Sequence, residues 1–251
     1  MSSVLRAEWT KVRTLAANFW LLAGAVVATC VLSILVAAST KCSAVSCTDP
    51  AKASLSGVYL GQAAVVVLGV LTVSGEYANG MIQLTLAAMP RRTPVLAAKA
   101  SVLGGLILVA GAVAVLICEL TGGPLLAGNG FGQAGLLSSP AALRAAGGTV
   151  LYLVLIGLLS LGIAALVRDA GVAVGGVLAL LFLFPVVAHF TDPTWQRHLE
   201  QIAPMTAGLA IQDTVDLASQ PIGPWAGLGV LAAWAAGALL LGGLALGLRD
   251  A

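Results

Sequence analysis

A serine and a histidine are the first residues of this chain that could act on a substrate. Ser160 lies in Gly157-Leu158-Leu159-Ser160-Leu161-Gly162, inside a long apolar run, and His189 follows near the end of the next. A buried hydroxyl activated by an imidazole would make an intramembrane serine protease, with serine as nucleophile and histidine as general base. The spacing fits poorly. Such a site expects glycine two residues before the serine, where this chain has Leu158, and a histidine at matching depth, whereas His189 falls near a membrane surface. A serine in a membrane helix more often hydrogen-bonds its own backbone or a neighbouring helix. The protease is kept only as an alternative, and the chain is read as no enzyme.

Metal and nucleotide chemistry find less still. His189 and His198 are too few for a transmembrane haem pair, and no closed set of zinc ligands is present. None of Lys11, Lys41, Lys52 and Lys99 follows a glycine, so the GxxxxGK[ST] anchor for nucleotide phosphates is missing. No cofactor is expected in this chain. Cys30 and Cys118 fall within or at the end of apolar runs and read as small apolar fillers. Cys42 and Cys47 share a short polar loop. On the oxidising side of a membrane a disulfide between them would close that loop; two free thiols fit the spacing equally well.

The elements that must position these residues are those of a bilayer protein. Hydrophobic residues make up 59% of the chain and charged residues 9%, where soluble domains run near 25% charged; mean hydropathy is +1.03. Uncharged windows cover Thr14–Thr40, Ala53–Gly75, Ala100–Cys118, Ala145–Val167, Ala170–Thr191 and Leu217–Leu248. Each is long enough to cross about 30 Å of hydrocarbon as a helix, and backbone groups in lipid must be satisfied internally. A seventh window, Leu120–Leu143, holds six glycines with Pro124 and Pro140. That punctuation reads as an outer loop or a shallow re-entrant segment. The expected fold is therefore an all-α integral membrane protein, one transmembrane domain over 1–251. Its six transmembrane helices are placed near 19–39, 56–74, 99–119, 146–167, 170–190 and 224–247.

Charge then orients the chain. With the amino terminus inside, Arg6, Lys11, Arg13, Arg91, Arg92, Lys99, Arg168 and Arg249 lie inside, and only Lys41, Lys52, Arg144 and Arg197 outside. The positive-inside rule thus places both termini in the cytoplasm. The polar segment Ser74–Lys99, carrying Glu76, Arg91, Arg92 and Lys99, then faces the cytoplasm between two uncharged spans. It reads as a docking surface. Span one is too long for a signal h-region and reads as an uncleaved anchor. The many Ala, Gly, Val and Leu residues, with Arg preferred to Lys, suit a GC-rich bacterial genome.

Two flanking helices complete the expectation. Leu5, Trp9, Val12, Ala16 and Phe19 share one face, which suits an N-terminal interfacial helix on anionic headgroups; a polar extension of span one is the other reading. Between spans five and six, Asp192-Pro193 reads as an N-cap and first helical residue. Trp195, His198, Leu199 and Ile202 then form an amphipathic stripe that Pro204 stops. This should be a short outer helix dipping into the leaflet. Gly57/Gly61, Gly171/Gly175 and Gly243/Gly247 have the spacing for close helix approach, either within the chain or in a dimer. Glu119 reads as an interface-level carboxylate closing span three.

Together these pieces resemble the membrane-spanning permease subunit of exporter-type, type-2 bacterial ABC transporters. The similarity rests on the basic amphipathic start Arg6–Phe19; on Gly75-Glu76-Tyr77, Gly80 and Leu84-Thr85-Leu86-Ala87-Ala88-Met89-Pro90-Arg91-Arg92 ending in Ala97-Ala98-Lys99; and on Trp195-Gln196 through Ile202-Ala203-Pro204 with Ala207-Gly208. The resemblance implies that 75–98 is a coupling segment inserted into a separate ATPase, with Glu76, Tyr77 and Gly80 opening it and Arg91 and Arg92 closing it. Met81 stands where the family commonly has threonine. It further implies two ATPase copies holding ATP and Mg, a second permease half taken as an identical copy, and no nucleic-acid partner. Export of a hydrophobic or amphipathic drug, peptide or lipid by alternating access would follow. A non-transporting membrane scaffold or sensor partner is the main alternative.

Overall fold

A computed structural model describes residue 10 and residues 16–42, 49–78, 92–131, 139–217 and 220–248 of the chain. Every element in them is helical: α1 (Ala16–Ser39), α2 (Pro50–Ser54), α3 (Val58–Ala78), α4 (Arg92–Gly128), α5 (Pro140–Val167), α6 (Ala170–His189), α7 (Pro193–Ile202), α8 (Pro204–Leu209), a 3-10 turn at Ala210–Gln212, and α9 (Pro224–Leu248). Six of these, α1, α3, α4, α5, α6 and α9, are long and apolar enough to cross a membrane. The protein is an all-α, six-span membrane protein. The N-terminal interfacial stripe from Leu5 lies outside the described residues except for its last part in α1.

The spans form a bundle around α5, which packs most extensively on α9, α3 and α4. Tyr152, Ile156, Leu159, Leu161, Ala164 and Ala165 of α5 are fully buried. α1 packs on α3 and α4, whereas α6 and α9 leave most of their surface uncovered. Large apolar side chains on those open faces, among them Val172, Leu183, Leu240 and Leu244, are suited to lipid rather than water. Trp20 stands exposed at one end of the bundle and Trp195 and Trp225 at the other, the interfacial positions that amphipathic rings favour.

Small residues set the closest approaches. A Cβ at Gly57 would lie 1.8 Å from the Thr29 carbonyl oxygen, and one at Gly61 would lie 2.1 Å from Thr29 Oγ1. That pair therefore serves packing of α3 on α1 within the chain. Gly171/Gly175 and Gly243/Gly247 meet nothing closer than 3.4 Å. The tightest contact across α5 and α9 instead uses Gly162 and Gly242. A Cβ on Gly162 would come within 2.5 Å of the Ala238 carbonyl carbon, and one on Gly242 within 2.6 Å of Gly162 O.

Several expected span boundaries need correction. The third span, expected at 99–119, runs from Arg92 to Gly128 with Pro124 inside it. The stretch expected to be a loop or re-entrant segment is thus helical through Gly128, and α5 resumes helix at Pro140. Gly122 is there for contact, since a Cβ on it would sit 3.1 Å from Ser54 Cβ. Residues 75–78 likewise continue α3, and 92–98 begin α4, because Ala, Leu, Arg and Lys propagate a helix at little cost once it is nucleated. At α7, Pro193 takes the first helical position, but Asp192 makes no side-chain capping bond. Pro204 both ends α7 and opens α8.

Replacing Gly162 with Val should force α5 and α9 apart and lower stability by about 1–3 kcal/mol. Gly176→Ala, at a site with open space around it, should be neutral or slightly stabilising. Thermal unfolding of both variants in detergent would measure the contrast.

Candidate functional site

The connectors at one end of the bundle hold the densest polar chemistry among the described residues. Asp49 precedes α2 and accepts from Ala51 N at 3.0 Å, capping that helix. The same carboxylate accepts from Thr214 N at 2.5 Å, Thr214 Oγ1 at 2.6 Å and Val215 N at 3.1 Å. One side chain therefore fastens the α1–α3 connector to the connector before α9. Three backbone amides and one hydroxyl thus converge on a single carboxylate.

Around this clasp the pairing continues. Lys52 on α2 forms an ion pair with Asp213, whose side chain is only 4% exposed. Arg144 on α5 donates to the Asp213 carbonyl oxygen. Gln212 Nε2 donates to Thr149 Oγ1 at 3.1 Å. Ser54 Oγ donates to Glu119 Oε1 at 2.7 Å. Five segments, α2, α4, α5, the 3-10 turn and the loop after it, share this network. Glu119 is not the terminus of span three, as the sequence suggests. It is buried nine residues before the end of α4 and engages α2.

Deeper, Gln62 of α3 and Tyr152 of α5 are both fully buried. The Tyr152 hydroxyl donates to Gln62 Oε1, and Gln62 Nε2 lies 3.5 Å from the Met205 sulfur. Met205 also lines a cavity of about 300 Å³. α7 and α8 contribute Glu200, Thr206 and Leu209, and Lys52, Tyr59, Pro185 and Asp213 complete much of the wall. α7 is amphipathic, as its stripe predicts. Its companion α8 is buried at Pro204, Met205, Ala207, Gly208 and Leu209, so the pair folds back against the bundle. Trp234 of α9 secures it by donating from Nε1 to Ile202 O at 2.9 Å.

At the opposite end the described chemistry is sparse. Glu76 and Tyr77 fall in the last turn of α3 and Arg92 opens α4, but their side chains, with Gly80 and Arg91, lie outside the described residues. Lys99, read from the sequence as part of the polar segment, is buried at 4% exposure, with Nζ 3.4 Å from Thr72 O on α3. A long aliphatic stem allows that burial while the ammonium finds a carbonyl.

The remaining candidates resolve plainly. Ser160 Oγ donates to Ile156 O at 2.7 Å in its own helix, and His189 at the end of α6 stacks edge-on against Phe190. The sequence reading of Ser160 as a backbone-bonded serine is the one the geometry matches. Cys42 is disulfide-bonded, and Cys47, its expected partner, lies outside the described residues. Cys30 and Cys118 are buried, free, and 4.0 Å apart at sulfur. No group of three or more metal-ligating side chains occurs among the described residues.

Gln62 and Tyr152 were findable. Each is a polar side chain alone amid apolar neighbours, and such residues in membrane helices bond across to another helix. Asp49-Pro50 carries the same N-cap signal as Asp192-Pro193, whereas Gln212 and Asp213 carry no local signal beyond polarity. Fold and site together define a six-span membrane protein with a polar cap and an adjoining cavity at one end. Compared with known proteins, the chain matches no family model and no curated protein.

Asp49→Ala should lower stability by about 2 kcal/mol, as amide donors lose a charged acceptor, and should expose 213–217 to limited proteolysis. Asp192→Asn, exposed and without a capping bond, should do neither. For the buried dyad, Tyr152→Phe should cost about 1 kcal/mol. The double variant Tyr152→Phe/Gln62→Leu should cost less than the sum of the single changes, measured as a thermal double-mutant cycle.

Proposed function

We propose that this chain is the membrane-spanning subunit of an ATP-driven exporter, energised by a separate ATPase. The observation that supports it best is the build of the α3–α4 pair. Residues 79–91 are delivered by two helices that run unbroken from them to the polar cap: α3 back to Val58, beside Tyr59 and Gln62, and α4 onward past Glu119 to Gly128. Lys99 bridges the two helices near the segment. A push on residues 75–98 would reach the cavity end as a rigid-body displacement, since helices and packed side chains transmit strain rather than absorb it.

In this scheme Glu76, Tyr77, Gly80, Arg91 and Arg92 contact the ATPase, which holds ATP and Mg. Two ATPase copies serve two permease halves, taken as identical, in a bacterial cytoplasmic membrane with both termini inside. ATP-driven closure of the ATPases opens the path outward for a hydrophobic or amphipathic substrate. The lack of a phosphate loop in the sequence agrees with a motor supplied in trans.

The test is co-purification with an ATP-binding cassette protein encoded beside this reading frame, followed by ATP turnover in proteoliposomes. Glu76→Ala and Arg91→Ala/Arg92→Ala should each weaken binding or stimulated turnover by about tenfold, the loss of one or two interfacial contacts. Unchanged binding and turnover in both variants would remove the coupling assignment. A chain that co-purifies with no ATPase would leave the scaffold in its place.

A further inference from the structure

We propose that the cavity beneath α7 and α8 is a binding site for a monovalent organic cation with an apolar body. Its volume, about 300 Å³, is at the lower end of the range for small-molecule sites, roughly 300–1,000 Å³. The wall decides the chemistry. Its charged residues are Lys52, Glu200 and Asp213. Lys52 and Asp213 neutralise each other in their ion pair. Glu200 remains, half-buried, and among the described residues its carboxylate accepts only from Gln196 Nε2 at 2.9 Å. No cation lies within ion-pair distance of it among the described residues, and Arg197 one turn earlier on α7 does not reach it.

The rest of the lining suits the body of such a ligand. Tyr59 offers a partly exposed ring, whose face attracts a cation through the ring quadrupole. Met205, Pro185, Leu209 and Ile222 add a polarisable thioether and apolar surface. An anion entering here would meet Glu200 and a lysine already paired. A neutral ligand would strip water from Glu200 and return no charge, a desolvation cost with no compensation. A dication would need a second free carboxylate, which Lys52 occupies. This goes beyond the exporter assignment and does not rest on it, because binding requires no ATPase.

Purified full-length chain in lipid nanodiscs, dialysed to equilibrium against radiolabelled benzyltriethylammonium, tests the site, with empty nanodiscs subtracting lipid partition. Saturable binding is expected. It should be displaced by the unlabelled cation and not by 4-tert-butylbenzenesulfonate, an anion of similar size. Glu200→Gln should weaken binding by about tenfold, Ile222→Trp should fill the cavity and abolish it, and Asp192→Asn should leave it unchanged. Should Glu200→Gln lose its monodisperse profile, Ile222→Trp and Tyr59→Leu decide. No saturable binding above empty nanodiscs, equal affinity in Glu200→Gln and Ile222→Trp, or equal displacement by the sulfonate would each overturn the proposal.

Discussion

The cost of burying an unpaired polar group governs this structure. In an apolar surrounding that cost is several times what the same group loses at a wet surface, so each polar side chain inside the bundle must meet a partner. Buried hydroxyls do so locally: Thr29, Ser74, Thr149 and Ser160 each bond a carbonyl one turn back. The larger groups cannot. Gln62, Tyr152, Glu119, Asp213 and Lys99 reach across to other helices or connectors. Those crossings are what fix one helix against another.

Apolar packing supplies the area and small residues supply the fit. Lipid competes for Leu and Val as well as a neighbouring helix does, so hydrophobicity alone does not choose partners in a membrane. Backbone approach does. Gly162 against Gly242, Gly57 against Thr29, and Gly227 against the Ala207 carbonyl are places where a methyl group would collide with main chain. On α5, Gly162 against α9 and the Gly157 carbonyl against Gly69 of α3 are such approaches, whereas α6 has none at Gly175 and Gly176 and leaves most of its surface uncovered.

Much of this was legible beforehand, and the misses share a cause. Uncharged windows located all six spans, and the stripe Trp195, His198, Leu199, Ile202 located α7, because length and periodicity are local properties. Gly122, Gly123 and Pro124 looked like punctuation; a sequence cannot say that the α2 backbone lies against Gly122. The polar cap was invisible for the same reason. Asp49 and Thr214 are 165 positions apart, Gln62 and Tyr152 are 90 apart, and Ser54 and Glu119 are 65 apart. Lys99 was placed in the cytoplasmic segment by its charge, and only the proximity of Thr72 shows that its ammonium turns inward.

The 37 residues of α4 have a consequence for the lipid around them. At 1.5 Å per residue the helix is about 56 Å long, against roughly 40–45 Å of bilayer including headgroups. Upright, it would project beyond the membrane; inclined, it trades projection for tilt. A thinner bilayer would increase one or the other, and because Glu119 and Lys99 ride on the same helix, a change of tilt would alter the depth that separates them. The length of α4 thus ties the relative depth of two buried charged side chains to the thickness of the surrounding bilayer.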